Sequence, residues 1–133
     1  MFQAKHKGFT LIEMIIVFAL IGILVGLALP QYKTSLKKAK ETGLKDSLFT
    51  MRKLIQQYYT DKCKYPASLK ALVDDGYLQK VPVDPMTDKD DTWVEVREEP
   101  SMEDIQAGME LGVVDVHSGS KEKALDGTIY DTW

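Results

Sequence analysis

Polar residues almost vanish from the chain between Phe9 and Leu29. Over those 21 residues only Thr10 and Glu13 interrupt an apolar run, which also carries Gly22 and Gly26. At about 1.5 Å per residue the run makes a helix of about 31 Å, enough to cross a bilayer core of about 30 Å. A secretory signal peptide would also place Lys5 and Lys7 ahead of an apolar stretch, but it closes on a small-x-small cleavage site. This stretch closes on Leu29-Pro30-Gln31 and continues in helix formers. A membrane-embedded helix is the better reading. Past Pro30 the pattern changes from continuous to periodic: Leu36, Leu44, Leu48, Met51, Ile55 and Tyr58 are three, four or eight residues apart. That spacing predicts one apolar stripe on a helix whose other faces carry Lys37, Lys38, Lys40, Lys45, Arg52 and Lys53. Pro30 removes a hydrogen bond and kinks, which membrane helices tolerate. Residues 9 to about 60 are therefore expected to form one long, bent helix whose first half is lipid-soluble.

The remainder reads as a small α+β head. Ser68 can cap a short helix from Leu69 to Asp75, ended by Gly76. Pro82 and Pro85 set a loop, because neither can donate to a ladder. Alternation predicts strands at Thr92–Arg97 and Leu111–His117, joined through 100–108 with a helical turn. The Gly-, Ser- and Asp-rich tail, 118–133, is expected to fold back by burying Leu125, Ile129, Tyr130 and Trp133.

Charge divides the chain as hydropathy does. Residues 1–64 carry 11 Lys/Arg against 4 Asp/Glu, and residues 65–133 carry 6 against 16, for a net −3 over 133 residues. A basic front and an acidic back do not make the basic folded face that nucleic acid needs. They suit a chain whose ends sit in different surroundings or that packs against its own copies. The single Cys63 excludes an internal disulfide framework, and a small buried hydrophobe is its default role. His6 and His117 leave little for metal catalysis, and no nucleophile sits beside a base, so an enzyme is not expected. Flanking positive charge alone leaves the membrane orientation open, since lysines stand on both sides of the span.

Glu13 is the sharpest anomaly. A carboxylate in mid-membrane costs about 2.5–3.5 kcal/mol, less near a span's end where it reaches the headgroups. Either it snorkels to the surface or it meets a buried cation. The candidate cation is the amino group that a cut before Phe9 would create, because residues 9 and 13 are i and i+4 on one helix face. Gly22 and Gly26 form a GxxxG spacing that permits close helix approach, and they equally fit ordinary glycines of a membrane span.

The ordered series Lys7-Gly8-Phe9-Thr10-Leu11-Ile12-Glu13-Met14 resembles the class III signal of type IV pilins and pseudopilins. Gly22 and Pro30 fall where those proteins commonly have Gly and Pro. In the head, Tyr65-Pro66, Gly76-Tyr77-Leu78, Val81-Pro82-Val83-Asp84-Pro85 and Asp91-Thr92-Trp93 resemble the major, G-type pseudopilins of type II secretion systems. The resemblance implies a leader, 1–8, cut after Gly8 by a membrane prepilin peptidase, and N-methylation of Phe9. It implies an assembly helix at 9–30, with Phe9, Glu13, Gly22, Gly26 and Pro30 engaged in filament packing and the helix loosened between Gly22 and Pro30. It further implies a pilin-like head, 31–133, on the periplasmic side of the bacterial inner membrane. The implied partners are other copies of the chain, minor pseudopilins, the inner-membrane assembly platform with its ATPase, and the lipid bilayer, with no nucleic acid. A type IV pilin for adhesion, motility or DNA uptake is the near alternative, and a monomeric single-pass binding protein the distant one.

The same family often holds calcium in its C-terminal loop. The counterparts here are Asp126 and Asp131, with Asp115 if the tail folds over the strand end. Lys121 and Lys123 stand close by, and the dense Asp run that a hard oxygen site prefers is missing. Solvated turn carboxylates account for these residues as well, and no cofactor is expected.

Overall fold

A computed structural model describes residues 7–133; Lys5, His6 and the rest of the expected leader before Lys7 lie outside the described residues. The helix α1 runs from Leu11 to Lys62 without a break. It is followed by α2 (Leu69–Asp74), β1 (Val94–Arg97), α3 (Met102–Ala107), β2 (Val113–His117) and a short 3-10 turn at Tyr130–Thr132. The architecture is α+β, as the pattern predicts. The chain divides into two compact units between Leu36 and Lys37.

The first unit is the apolar start of α1. Its most apolar stretch is long enough to span a membrane, and none of it is buried within the chain. Pro30 sits inside the helix and has no N–H, so the Gly26 carbonyl loses its i+4 donor. Thr34 Oγ1 donates to the Pro30 carbonyl at 3.2 Å.

In the second unit, β1 and β2 pair antiparallel in the register Val94↔His117, Glu95↔Val116, Val96↔Asp115, with a bulge between Val96 and Arg97. A two-stranded sheet is marginal without a partner surface. The α1 stripe supplies it: Leu44, Leu48, Met51, Ile55 and Tyr58 are buried in one cluster with Leu69, Leu72, Trp93, Val113, Val116, Ala124 and Tyr130. The stripe begins later than the spacing indicates, for Leu36 is exposed. Ser68 caps α2 by accepting from the Ala71 N–H, and Gly76 follows it at φ +80°, where a β-carbon would be strained. The first strand is shorter than predicted because Trp93 turns inward before it and donates its indole N–H to the Pro82 carbonyl at 2.7 Å. The proline-set loop closes on Asp84, fully buried, whose carboxylate accepts from the Met86 N–H at 2.8 Å and from Ser118 Oγ. Gly119 lies against the Thr92 carbonyl so closely that a β-carbon would overlap its oxygen.

Two burial expectations fail. Cys63 is exposed and stands just past α1 at φ 54°, where the chain turns out of the helix instead of entering the core. Leu125 and Ile129 are also exposed. The tail is held instead by Tyr130, by Trp133 and by polar contacts, which makes two more apolar anchors unnecessary.

Candidate functional site

The N-terminal signature is fully presented to the surroundings. Lys7 to Thr10 is irregular and exposed, with nothing within 4 Å of a β-carbon at Gly8 and with Phe9 76% accessible. The backbone at the Gly8–Phe9 bond is thus open to the surroundings. Helix α1 then starts through a pair of reciprocal contacts. Thr10 Oγ1 accepts from the Glu13 N–H at 3.3 Å, and Glu13 Oε2 accepts from the Thr10 N–H at 3.4 Å. This is a capping box, in which two backbone donors that a helix start leaves unpaired are satisfied by side chains. The Thr-x-x-Glu spacing of such a box is legible in the sequence, although the membrane charge of Glu13 overshadows it. Gly22 and Gly26 lie open on α1, with nothing within 4 Å of an added β-carbon, and the segment to Pro30 is helical in this single chain.

A second constellation fastens the tail to α1, and sequence reasoning did not find it. Glu41 is buried on α1, and its Oε1 accepts from the Tyr130 hydroxyl and from the Leu125 N–H, both at 2.8 Å. The Tyr130 phenol is completely buried, and that desolvation, with the Glu41 hydrogen bond second, pushes its pKa well above the ordinary tyrosine range. Arg52, three turns further on, donates Nε to Asp115 Oδ1 at 2.7 Å and Nη2 to the carbonyl oxygens of Val116 at 3.0 Å and of Trp133. His117 Nδ1 lies 2.6 Å from the same Trp133 oxygen. The Trp133 ring packs edge-on to Tyr130 and carries Lys45 Nζ 4.7 Å from its centroid. Lys37 Nζ donates to the Lys123 carbonyl at 2.7 Å. One sequence signal was available: Glu41 is three residues before Leu44 and seven before Leu48, so it lies on the apolar stripe.

These contacts engage two of the three calcium candidates. Asp115 is engaged by Arg52, while Asp126 Oδ1 accepts from the Thr128 N–H at 2.9 Å and from its hydroxyl at 2.6 Å. The Thr128 contacts, side chain first, hold the Asp126 carboxyl below the usual range. Among the described residues no three His, Cys, Asp or Glu side chains converge as a metal cage would require. Asp115, Asp126 and Asp131 do not fit a hard-cation site, which wants six to eight oxygens around one point.

An exposed methylation-type start, an unpartnered apolar helix and a small α+β head define a pilin-like, single-pass inner-membrane subunit. The prokaryotic N-terminal methylation motif matches residues 3–29. The chain is 35% identical to the type II secretion system core protein G of Pseudomonas aeruginosa, over an alignment covering 62% of this chain and 70% of that one. It is 34% identical to the fimbrial protein EcpC of Eikenella corrodens, with 62% and 58% covered, and 27% identical to the core protein G of Escherichia coli, with 61% and 67% covered. No solved structure matches. The chain belongs to the family of type II secretion system core protein G, the major pseudopilins.

Proposed function

We propose that this chain is the repeating subunit of a periplasmic filament in a type II protein secretion system. The peptidase cuts after Gly8, Phe9 is N-methylated, and the 9–30 segment holds the subunit in the inner membrane with its head, 31–133, on the periplasmic side. Copies then leave the bilayer laterally into a polymer, assisted by minor pseudopilins and the inner-membrane assembly platform. The carrying observation is the apolar start of α1, which finds no cover within its own chain and so needs lipid or the same helix of other copies. Inside a polymer the Phe9 ammonium requires a counter-charge, since an unpaired buried charge costs several kcal/mol. Glu13, four residues on, supplies it from the same chain or a neighbour. The tail is held by Glu41, Arg52 and Tyr130, and we assign it no calcium. The chain has a structural role and no catalytic one.

Intact-mass measurement of the membrane-bound chain tests the first step: loss of residues 1–8 with one added methyl group is expected. A chain that keeps Met1 in cells with active prepilin peptidase refutes the reading. The likeness to a fimbrial protein favours a type IV pilin as the second reading. The two separate in a deletion strain, where loss of protein export supports the first and loss of surface fibres with export intact supports the second.

A further inference from the structure

Two surface features of the head stand exposed and complement each other. The first is a groove of about 600 Å³ along α1, lined by the apolar Phe49 and Trp133 and by the basic Lys45, Arg52 and Lys53. Phe49 is 69% exposed there, although it sits one residue from the core position Leu48. The second is the arm between β1 and β2. Its helix α3 is locally complete: Ser101 and Asp104 form a capping box, and Gly108 ends it at φ +61°. Yet α3 buries no residue, and Met102, Ile105 and Met109 are 82%, 64% and 64% exposed. Around them stand Glu99, Glu103 and Glu110, none with an ion-pair partner among the described residues. A six-residue helix is far too short to persist on its own propensity, so one that is capped but leaves its apolar residues exposed points to a surface outside the chain.

We propose that the acidic, apolar arm 99–110 of one copy docks into the basic, apolar groove of a second copy. This rests on the filament reading above. Charge complementarity selects the occupant: a groove lined by Lys45 and Lys53 meets Glu99, Glu103 and Glu110, while Met102 and Ile105 cover Phe49 and Trp133. The arm cannot serve its own groove. Its base packs beside Tyr59, Cys63 and Tyr65 at the far end of α1, whereas the groove is centred near Phe49 and Arg52. Ten helical residues separate the two, an axial offset of about 15 Å. In the filament the contact is heterologous, each copy giving its arm to one neighbour and receiving that of another, and a heterologous contact that does not close generates an open helical array. Rim charges of this kind set partner choice and register more than total affinity.

The test uses the full chain in cells that carry the secretion system, in a Cys63→Ser background. A chain with both Phe49→Cys and Ile105→Cys is expected to form a ladder of disulfide-linked multimers on mild oxidation. Co-expressed single-cysteine chains, one with each substitution, are expected to stop at dimers. In the cysteine-free chain, Lys53→Glu is expected to lower the yield of chemically cross-linked multimers about tenfold, the effect of like charges set together across an interface rim. Glu103→Lys added to it is expected to restore most of that yield, which excludes misfolding as the cause. Multimers that form normally while the 49–105 pair stays unlinked, or a charge reversal without effect, overturn the docking and leave the filament reading standing. Links only between two copies of Phe49→Cys also overturn it, because that contact is isologous. A wild-type chain that forms no multimers at all overturns both.

Discussion

Replacing Arg52 by Ala tests whether polar clasps, and not a cation, hold the C-terminal tail. The substitution removes one ion pair to Asp115 and two donations to the carbonyls of Val116 and Trp133. The side chains of Arg52 and Asp115 are 37% and 39% exposed, so the ion pair is discounted to about 0.5–1 kcal/mol. Each donation from a charged group to a carbonyl is worth about 1 kcal/mol at this exposure. The total is about 2.5–3 kcal/mol, which for a domain of about 100 residues lowers the melting temperature by about 10–20 °C. Asp115→Asn removes only the charge of one partner and is expected to cost about 0.5–1 kcal/mol. Near-ultraviolet circular dichroism on the detergent-solubilised chain reads both, since Trp133 reports the tail directly. Calcium supplies the decisive arm, because an ion at 100 times its dissociation constant adds about 2.7 kcal/mol. If Arg52→Ala melts within about 0.5 kcal/mol of wild type, or if calcium restores what it loses, the clasp reasoning is wrong and a metal fastens the tail.

The remaining expectations can be checked on the same samples. Millimolar calcium should leave the melting temperature of the wild-type chain unchanged, and Trp133→Ala should lower it more than Asp126→Ala; the reverse order would restore the family's metal loop. Residues 35–133 alone should be soluble and folded by NMR, because the α1 stripe from Leu44 to Tyr58 packs on the sheet within that segment. Acid should weaken the head. The carboxyls of Asp75, beside Lys62, of Asp104, bonded to Ser101, and of Asp126, bonded to Thr128, all titrate below the usual range. Groups with depressed folded pKa values stabilise above the unfolded value of about 3.9 and lose that stabilisation as pH falls through the folded value. The melting temperature should therefore be flat from about pH 7 to 5 and drop below about pH 4; a maximum under pH 4 would contradict these contacts.

The helix, both strands and the N-terminal signature were legible because each leaves a periodic or ordered mark. Leu44 to Tyr58 repeat at helical spacing, Val94 to Arg97 alternate, and Lys7 to Glu13 keep a fixed order. The tail was legible only in part. Tyr130 and Trp133 anchor it, but Leu125 and Ile129 do not, since hydrophobicity says that a residue can be buried and not which of four will find room. Glu41 left one mark, its place on the apolar stripe, while Arg52 and Asp84 left none, because their roles depend on partners tens of residues away. Asp84 meets Ser118 across the head, and Arg52 meets Asp115 and Trp133. Such pairings are set by topology, which a one-dimensional pattern does not carry. Cys63 was misjudged for a related reason: its small apolar side chain suggests a core, while its position past α1 requires an exit.

Glu13 carries two explanations that a single pair of substitutions separates. As a capping residue it satisfies the Thr10 N–H at the start of α1, a local role that any polymer or monomer would share. As a charge it neutralises the Phe9 ammonium, a role that exists only after cleavage and matters only where water is excluded. Glu13→Gln keeps an acceptor at the same reach, and Gln serves in capping boxes as Glu does, so the cap survives while the charge is lost. Thr10→Val does the converse: it removes the hydroxyl that accepts from the Glu13 N–H, at a cost of about 1 kcal/mol to the helix start, and leaves the carboxylate intact. Both chains should be cut after Gly8, since the scissile bond lies outside the helix. If the ion pair drives assembly, Glu13→Gln abolishes cross-linked multimers and Thr10→Val forms them near the wild-type yield. Equal multimer yields in the two variants, or a defect confined to Thr10→Val, would mean that Glu13 is retained for the helix start alone, and the electrostatic account of docking would have to be given up.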